Sequence, residues 1–561
     1  MIGPESYIAF VVARKTKRNV ILSEAKNLRT FVRHFMEVTL PSLSREGKPR
    51  RRRGGVSQLC TIALVFYCTI ALRAAPDSTK SAQVRDLTLQ GLDKAYNFEF
   101  AAAEKLFDAA STLDPPNPRP QWGKVEINFW KTLIARRDSN YDQFLNQADR
   151  VIDKAEKYLD TYGRNTDILN CLGTLYGDRA FANARMKNYL RAAWDGKKSY
   201  DYFADAYKLD PSDADAYAGL GIYHYFASFI PKSLQWIVSI LGVRSDNALG
   251  IRQLGFASER ASYLRVQSQY YLAELLPWQT GEFDSSEAIF KNLHAKFPRN
   301  TLFNFTLGAW EMRRNAVADA KARFLGILAD SDLVPGLRDY TVEKLGECSF
   351  RLADYPAAAR YYGDYLRHHT DNLYVASSRF RLGICREMLG ERDSALVYYS
   401  SAAREDDRFG DDAYCVRRAE LRRNNPLQTD DSLLLRAQSF YKTGRYDSAV
   451  VAFSELRLFP GVSSLNSAEA LYGRGDSFFE LGAYDSALAD YQSLIVMKLP
   501  ERERWLSAIS YYQIGLCFKK IHKNDLAAEA FRKTLEFNDY DYENWYSHRA
   551  NRELELLKKS G

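Results

Sequence analysis

Cysteine is scarce and widely spaced in this sequence. Seven cysteines occur in 561 residues, and those after residue 75 are Cys171, Cys348, Cys385, Cys415 and Cys517. Their number is odd, and no two have the close spacing of a disulfide framework or a zinc knuckle. The sequence therefore excludes a small disulfide-stapled fold. We expect buried free thiols inside helices, as at Cys348 and Cys385.

The motifs that mark common active sites are also missing. The sequence has no glycine-rich phosphate loop ending in Lys-Ser/Thr, no G-x-S-x-G elbow and no H-E-x-x-H pair. Among seven histidines only His368 and His369 are adjacent. A metal site would need further ligands at a fixed spacing, so we expect a solvated loop there. These absences predict a protein that is not an enzyme and has no cofactor or metal.

Acidic pairs occur around residue 410, without the regular oxygen-ligand spacing of a calcium loop. The pairs are Asp406/Asp407, Asp411/Asp412 and Asp430/Asp431. A solvated linker and helix N-caps are the favoured explanation, and a cation site is the alternative.

Beyond residue 74 the chain has no surplus of basic residues. The formal net charge is +8, but residues 1–74 hold fourteen Lys/Arg and four acidic residues, so the remainder carries −2. A near-neutral body lacks the electrostatic footprint of nucleic-acid binding. We therefore expect no nucleic-acid partner.

Residues 1–75 are predicted to be a leader with its core at 50–74. The run Arg50–Arg53 precedes an uncharged apolar stretch at Leu59–Leu72, and Ala74 and Ala75 then offer a cleavage site. This order is typical of a secretory signal peptide, and the stretch is shorter than the ~20 residues of a membrane-spanning helix. The chain is therefore predicted to be exported to a periplasm or cell envelope. Membrane association through an uncleaved 59–72 anchor stays open.

One pattern of small, aromatic and glycine residues recurs along the chain. A small residue is followed four positions later by an aromatic one at Ala103/Phe107, Ser286/Phe290, Ala320/Phe324, Ala358/Tyr362, Ala395/Tyr399, Ala449/Phe453, Ala487/Tyr491 and Ala527/Phe531. The step from Ser286 to Ala320 is 34 residues, and later steps are 38, 37, 54, 38 and 40. Twelve residues before the small residue stand Gly91, Gly308, Gly346, Gly383, Ala437, Gly475 and Gly515. Between the two marks lie Gly281, Gly390, Gly444 and Gly482.

This pattern resembles the tetratricopeptide repeat. The segment Ala468–Pro500 carries the marks in order, and they recur over most of residues 85–540. Each such unit is a helix–turn–helix that cannot bury its apolar face alone. Small residues let the two helices approach, the aromatic ring fills the space between units, and the turn glycine accepts a left-handed conformation. An ordinary amphipathic bundle, the alternative, would not repeat these marks in a fixed order.

We therefore predict an all-α fold, an α-solenoid of eight to ten stacked helix–turn–helix repeats. Its predicted parts are N-terminal repeats at 76–165, a divergent helical segment at 166–265, the main array at 266–540 and a polar capping helix within 541–561. In the divergent segment, residues 176–209 are predicted to form one extended helical unit.

Residues 226–250 are more apolar than the repeats. A buried core helix is the favoured interpretation, and a helix facing a membrane or a partner is the alternative. The runs Ile230–Leu234, Leu241–Asp246 and Leu249–Gly250 resemble a stretch in the family of tetratricopeptide repeat protein 39, which includes the inclusion-body clearance protein. The resemblance implies a non-enzymatic repeat architecture tied to membranes or protein quality control.

In tetratricopeptide arrays the first helices line a concave groove, and this is the expected binding site. By register, the groove would be lined by Phe305, Glu343, Glu347, Phe380, Gln438, Tyr472, Asp476 and Tyr512. The Lys and Asn residues with which one subclass of the family clamps a terminal carboxylate are missing. A mixed aromatic and acidic groove suits an extended or helical protein segment.

The expected function is that of a protein–protein interaction scaffold in the exported compartment, with other proteins or peptides as partners. Two alternatives stay open. One is a cell-surface glycan-binding repeat protein whose exposed Tyr and Trp rings stack on sugars. The other is a membrane-anchored assembly or quality-control factor.

Overall fold

A computed structural model describes residues 78–135, 138–227, 246–331, 333–369, 373–402 and 412–560. In these ranges the chain forms twenty-four α-helices and one short 3₁₀ helix, Glu501–Glu503, and it forms no strand. The predicted leader and residues 228–245 of the apolar segment lie outside the described residues. So do Asp406, Asp407 and Asp411.

The helices follow one another as hairpins. The first eight are α1 (Ser78–Tyr96), α2 (Phe100–Leu113), α3 (Arg119–Ala135), α4 (Asp138–Tyr162), α5 (Thr166–Arg185), α6 (Tyr189–Leu209), α7 (Ala214–Phe226) and α8 (Asn247–Arg260). The next eight are α9 (Arg265–Gln279), α10 (Phe283–Lys296), α11 (Thr301–Arg313), α12 (Val317–Leu328), α13 (Pro335–Arg351), α14 (Tyr355–His368), α15 (Val375–Met388) and α16 (Arg392–Ala402). The last eight are α17 (Asp412–Asn424), α18 (Thr429–Lys442), α19 (Tyr446–Leu458), α20 (Ser464–Glu480), α21 (Tyr484–Ile495), α22 (Trp505–Lys520), α23 (Asn524–Leu535) and α24 (Glu543–Ser560).

The fold is an all-α solenoid of stacked helix pairs, as predicted. Among the described residues the helices form eleven pairs, with α17 and α24 unpaired. This exceeds the predicted eight to ten, because the weakly marked segment at 166–265 forms two pairs of its own, α5–α6 and α7–α8.

The predicted repeat register is confirmed by the contact between the two helices of a pair. A Cβ placed on Gly475 would lie 2.7 Å from the ring of Tyr491, and one on Gly308 would lie 2.7 Å from the ring of Phe324. Real Cβ atoms essentially never come this close, so a side chain at either glycine would push the two helices apart. The same contact with the partner ring recurs at Gly91, Gly346, Gly383 and Gly515.

The turn between the two helices is left-handed, as predicted. The four glycines at this position have φ of 75–81°: Gly281, Gly390, Gly444 and Gly482. At the equivalent position of other repeats, φ is 58–60° in residues that are not glycine: Phe98, Asn315, Ala353 and His522. The repeat geometry therefore imposes this conformation even where the residue type disfavours it.

The prediction of one extended unit at 176–209 is wrong. Helix α5 ends at Arg185 and α6 begins at Tyr189, with Lys187 left-handed at φ 65° between them. The two helices pack as a hairpin in which the Ser199 hydroxyl donates to the Gly173 carbonyl at 2.7 Å. Helices α5 and α6 have 20 and 21 residues, so Gly173 and Ser199, the equivalents of the glycine and the small residue of the repeat, stand 26 residues apart rather than twelve.

The N-terminal helices pack against helices from the middle of the chain. The Asn300 side chain donates to the Tyr96 carbonyl at 2.7 Å, and Lys296 pairs with Asp93 at 3.1 Å. Most residues of helix α3 are buried, and the Gln267 amide of α9 donates to Glu126 of α3 at 2.6 Å. Part of the surface of the N-terminal helices is therefore covered by later helices of the same chain.

Buried charges fix the start of α9 inside this core. Arg119 is 1% exposed, pairs with Asp167 at 2.7 Å and lies 4.2 Å from the centre of the Tyr263 ring. The Asp215 carboxylate accepts the backbone N–H groups of Tyr263 and Leu264 at 3.0 and 2.8 Å. Burial raises the pKa of Asp215 to about 6, although the hydrogen bond from the Leu264 backbone opposes the rise. These contacts join α3, α5 and α7 to the first turn of α9.

The C-terminal helices also return to the middle of the chain. Arg552 of α24 donates to the Pro277 carbonyl at 2.8 Å across 275 residues, and the Ser439 hydroxyl donates to the Arg351 carbonyl at 2.8 Å. Helices α9 to α24 therefore complete a superhelical turn in which α24 contacts α9.

The capping helix differs in character from the prediction. It runs from Glu543 to Ser560, and it buries Trp545 and Ala550 to 8% and 0% exposure. Leu554 packs into the cluster around Phe531. The helix is therefore amphipathic rather than polar, because one face closes the core of the last repeat.

Cys348 and Cys385 are buried and form no disulfide within the described residues, which confirms the expectation for both. Burial raises the pKa of both thiols to about 12. Such thiols carry almost no thiolate near neutral pH, so they behave as small apolar side chains.

Leucine in place of Ala358 or Ala487 should destabilise the array by about 1–3 kcal/mol, because both alanines are fully buried between helices. Ala489→Leu is the matched control, since Ala489 is exposed on the same helix as Ala487; its effect should stay within about 0.5 kcal/mol. Urea unfolding of the three variants measures the difference. Normal stability of both buried-site variants would count against the register.

Candidate functional site

Two of the predicted groove residues pack within their own repeats. Phe305 of α11 is 7% exposed, and its ring centre lies 5.3 Å from that of Phe324 on α12. Phe380 of α15 is half-buried, with its ring centre 6.0 Å from that of Tyr399 on α16. Both rings join the helices of a pair, and Phe305 presents little surface to a partner.

Two more, Glu343 and Glu347 of α13, belong to a buried charge network. Lys344 pairs with Glu343 at 2.9 Å and with Glu347 at 3.1 Å, and Arg351 also pairs with Glu347. The side chains of Glu343, Lys344 and Glu347 are 0%, 2% and 7% exposed. The Lys344 ammonium lies 4.2 Å from the centre of the Tyr374 ring.

The network decides the charge of each carboxyl group. Burial raises the pKa of Glu343, and Lys344 opposes that rise. Burial would also raise the pKa of Glu347, but Arg351 and Lys344 outweigh it and hold the pKa well below its usual value. Glu347 is therefore an ionised, fully paired group inside the fold.

The other four predicted residues lie on first helices of the C-terminal repeats, α18, α20 and α22. Gln438 of α18 is half-buried and donates its amide to Glu469 of α20 at 3.2 Å. Glu469 is itself paired with Arg418 of α17 at 3.1 Å. Gln438 thus joins the first helices of two consecutive repeats to α17.

Asp476 of α20 is the centre of a tyrosine-rich cluster. Its carboxylate accepts the Tyr491 hydroxyl at 2.6 Å and the Gln513 amide at 2.7 Å. Burial raises its pKa to about 6, although both hydrogen bonds oppose the rise. Tyr472 lies one turn before Asp476 and is half-buried, with its ring centre 6.0 Å from that of Tyr491.

Helix α24 continues this cluster from Tyr512. The ring centres of Tyr512 and Tyr546 are 5.4 Å apart and nearly perpendicular. Tyr546 packs against the same apolar cluster as Tyr472 and is close enough to affect the pKa of Tyr472. The Arg549 guanidinium lies 5.9 Å from the centre of the Tyr512 ring. The structure therefore brings Tyr472, Asp476 and Tyr512 together, and α24 forms one wall of the surface that they share.

Sequence reasoning missed the contribution of α24. Tyr546 and Arg549 are three residues apart and share one helix face, which the spacing alone could have shown. Which helices this face would meet depends on the superhelical turn, and the repeat pattern does not specify that turn. Arg313 of α11 was missed for the same reason, since its neighbours on α24 follow more than 230 residues later.

No group of three or more His, Cys, Asp or Glu side chains in the described ranges is arranged to hold a metal ion. None of the helices described is at once long and apolar enough to cross a membrane.

The comparison with known families identifies one part of the array. Residues 434–498 match the tetratricopeptide repeat family model. This stretch covers most of α18 to α21 and includes the contact between Gly475 and Tyr491. No protein of curated function matches the chain.

Solved structures match the chain at low sequence identity and low TM-score. A tetratricopeptide repeat protein from Parabacteroides merdae is 16% identical, with 52% of this chain and 98% of that chain covered and a TM-score of 0.22. Yeast Tom70 is 12% identical, with 81% and 97% covered and a TM-score of 0.29. The Cut9–Hcn1 hetero-tetramer of the APC/C is 14% identical, with 90% and 99% covered and a TM-score of 0.27.

Proposed function

We propose that this solenoid of tetratricopeptide-like repeats is a non-enzymatic protein–protein interaction scaffold, and that it binds a segment of its partner on the concave face of its C-terminal repeats. The observation that carries the proposal is the convergence of Tyr472, Tyr512 and Tyr546 from α20, α22 and α24. Tyrosine and arginine dominate the energetics of protein interfaces, and Arg549 lies against this cluster. Tyr472, Tyr546 and Arg549 are each half-buried, so part of their surface stays open to a partner.

We place this scaffold in the exported compartment, at the periplasm or cell envelope. The support is the order of the leader, in which Arg50–Arg53 precede the apolar run Leu59–Leu72 and the small residues Ala74 and Ala75. If the run is not cleaved, it anchors the scaffold to a membrane, and the function becomes that of a membrane-anchored assembly or quality-control factor.

Site-specific crosslinking in the native host tests both parts of the proposal. A photo-reactive residue at Gln513, which is half-buried beside Asp476, should capture a protein in the envelope fraction. The same residue at Val451, which is 57% exposed on the second helix α19, is the control. Because a few central residues supply most interface energy, we expect about tenfold more product from Gln513.

Three outcomes of this experiment count against the proposal. Equal capture from Gln513 and Val451 would show that the concave face is not the interface. Retention of polysaccharide instead of protein would favour the glycan-binding alternative. A chain found only in the cytoplasmic fraction would contradict the exported location.

A further inference from the structure

Arg313 is a charged side chain held by aromatic rings alone. It is the last residue of α11, and its guanidinium carbon lies 3.7 Å from the centre of the Phe283 ring and 5.6 Å from that of Trp310. No hydrogen bond or ion pair is made by Arg313 within the described residues. A guanidinium that stacks on a ring keeps its N–H edge free for a planar anion.

Helix α24 brings two more arginines to the same place. Arg549 lies 4.9 Å from the centre of the Trp545 ring, and it too forms no ion pair among the residues that the structure describes. Arg552 donates to the Pro277 carbonyl and pairs with Glu553 at 2.5 Å. The Arg552 side chain is only 9% exposed, and its Nε atom is buried without a hydrogen-bond partner.

The three arginines lie within electrostatic reach of one another. Arg313 is exposed, and its partial desolvation together with the charges of Arg549 and Arg552 lowers its pKa. The nearby acid, Glu553, already pairs with Lys519 at 2.5 Å as well as with Arg552. The cluster therefore holds more positive charge than its own acids balance, and a bound anion would relieve the repulsion.

Tyr512 lies at the centre of this cluster. Its hydroxyl is close enough to Arg313, Arg549 and Arg552 for each charge to affect its pKa, which burial raises. The same residue packs on Tyr546 in the concave surface described above. The excess positive charge is therefore continuous with the surface that we propose for partner binding.

We propose that Arg313 and Arg549, with Tyr512 between them, bind side-chain carboxylates of an acidic protein segment where the superhelical turn closes. This inference rests on the proposed function and names the chemistry of the partner. A protein segment is favoured over a small anion because the arginines stand among Phe283, Trp310 and Trp545, whose rings offer apolar contact beside the charges. The bonds expected are paired N–H···O contacts from each guanidinium edge.

The variant Arg313→Gln tests the proposal, and Arg314→Gln is its matched control. The two residues are adjacent and their substitution changes the net charge equally. Arg314 is exposed, as Arg313 is, but it already pairs with Asp284 and Glu287, each at 2.6 Å. The probe is a fluorescein-labelled peptide of ten glutamates, with ten glutamines as the uncharged comparison, added to the mature chain from Pro76 near physiological salt.

We expect Arg313→Gln to weaken decaglutamate binding at least about tenfold and Arg314→Gln less than about twofold, because loss of one bidentate charge pair costs that much. Decaglutamate should raise the melting temperature of the parent chain and of Arg314→Gln, but not that of Arg313→Gln. The melting temperature of Arg313→Gln without peptide should match that of the parent, since the substitution removes repulsion as well as stacking.

Equal losses of binding in the two variants would show that only net charge matters and would overturn the proposal. The proposal would also be overturned if inorganic phosphate displaced decaglutamate at a lower concentration than free glutamate does, because the preferred ligand would then be a phosphate. If crosslinking from Gln513 persists in Arg313→Gln while decaglutamate does not bind the parent chain, this inference fails and the proposed scaffold function stands.

Discussion

Replacing Lys344 with methionine is expected to destabilise the fold by about 3–5 kcal/mol, the largest effect of any single substitution considered for this chain. Lys344 is 2% exposed and is the shared cation of Glu343 and Glu347. Its removal leaves two carboxylates close together inside the protein, with Arg351 paired only to Glu347. Methionine keeps the length and apolar stem of lysine, so the loss measures the missing charge rather than a cavity.

The pH dependence of this loss separates charge from packing. Without Lys344, the pKa of Glu343 should rise further, because burial already raises it and the main opposing charge is gone. The variant should therefore lose more stability at pH 8 than at pH 5. At pH 8 the Glu343 carboxyl group must either ionise inside the protein or keep a proton that the unfolded chain releases, and both cost free energy of folding. Urea unfolding at both pH values measures this difference, and an equal loss at the two would argue for a packing effect.

Two further variants complete the test. Lys321→Met removes a cation whose partner, Asp354, lies 3.4 Å away and is 46% exposed, so it should cost less than about 1 kcal/mol. The double variant Lys344→Met with Glu343→Gln should recover part of the loss, since it removes one of the two stranded charges. If the loss of unfolding free energy in the double variant equals the sum of the losses in the two single variants, the proposed coupling between Lys344 and Glu343 is contradicted.

The repeat itself could be predicted from the sequence because its marks are local. Gly475 and Tyr491 lie sixteen residues apart on two helices joined by a short turn, so their contact follows from helix geometry and turn length. The left-handed turn was predicted where glycine marks it. At Ala353 and His522 the same conformation occurs without glycine, and only the repeat spacing identifies it.

The environment of the candidate site could not be predicted in the same way. The register places Glu343 and Glu347 on a first helix, but whether that face is open depends on how tightly the array coils. Small rotations at each interface between repeats add up over the array. In this chain they bring Gln267 against Glu126 and Arg552 against Pro277, so parts of the expected groove are core. Tyr472 stays half-buried, whereas Tyr512 is 3% exposed because Tyr546 of the last helix packs against it.

Helix α9 carries a half-buried acid whose effect on stability should change with pH. Glu274 is half-buried, two turns after Gln267 on the face that meets α3. No hydrogen bond or ion pair to Glu274 occurs in the part of the chain that the structure describes. Burial is the cause that raises its pKa to about 7. In the unfolded chain a glutamate titrates near its usual value of about 4.3.

The sign of the effect follows from proton binding. Below about pH 4 the carboxyl group is protonated in both states, and it causes no loss of stability. Between about pH 4 and 7 the folded protein keeps the proton while the unfolded chain releases it, so stability falls as pH rises. Above pH 7 the loss is complete and amounts to roughly 3 kcal/mol, from the difference between the two pKa values.

Glu274→Gln should therefore raise the free energy of unfolding by roughly 3 kcal/mol at pH 8 and change it little at pH 4, because glutamine keeps the shape and has no proton to lose. The control is Glu259→Gln, an exposed glutamate on the preceding helix α8, which should leave the pH profile unchanged. Urea unfolding between pH 4 and 8, followed by tryptophan fluorescence, gives both profiles. A Glu274→Gln variant that stays as pH-dependent as the parent chain would show that Glu274 is hydrated in the folded state. The decline in stability over this range would then be assigned to Asp215 and Asp476, whose pKa values burial raises to about 6.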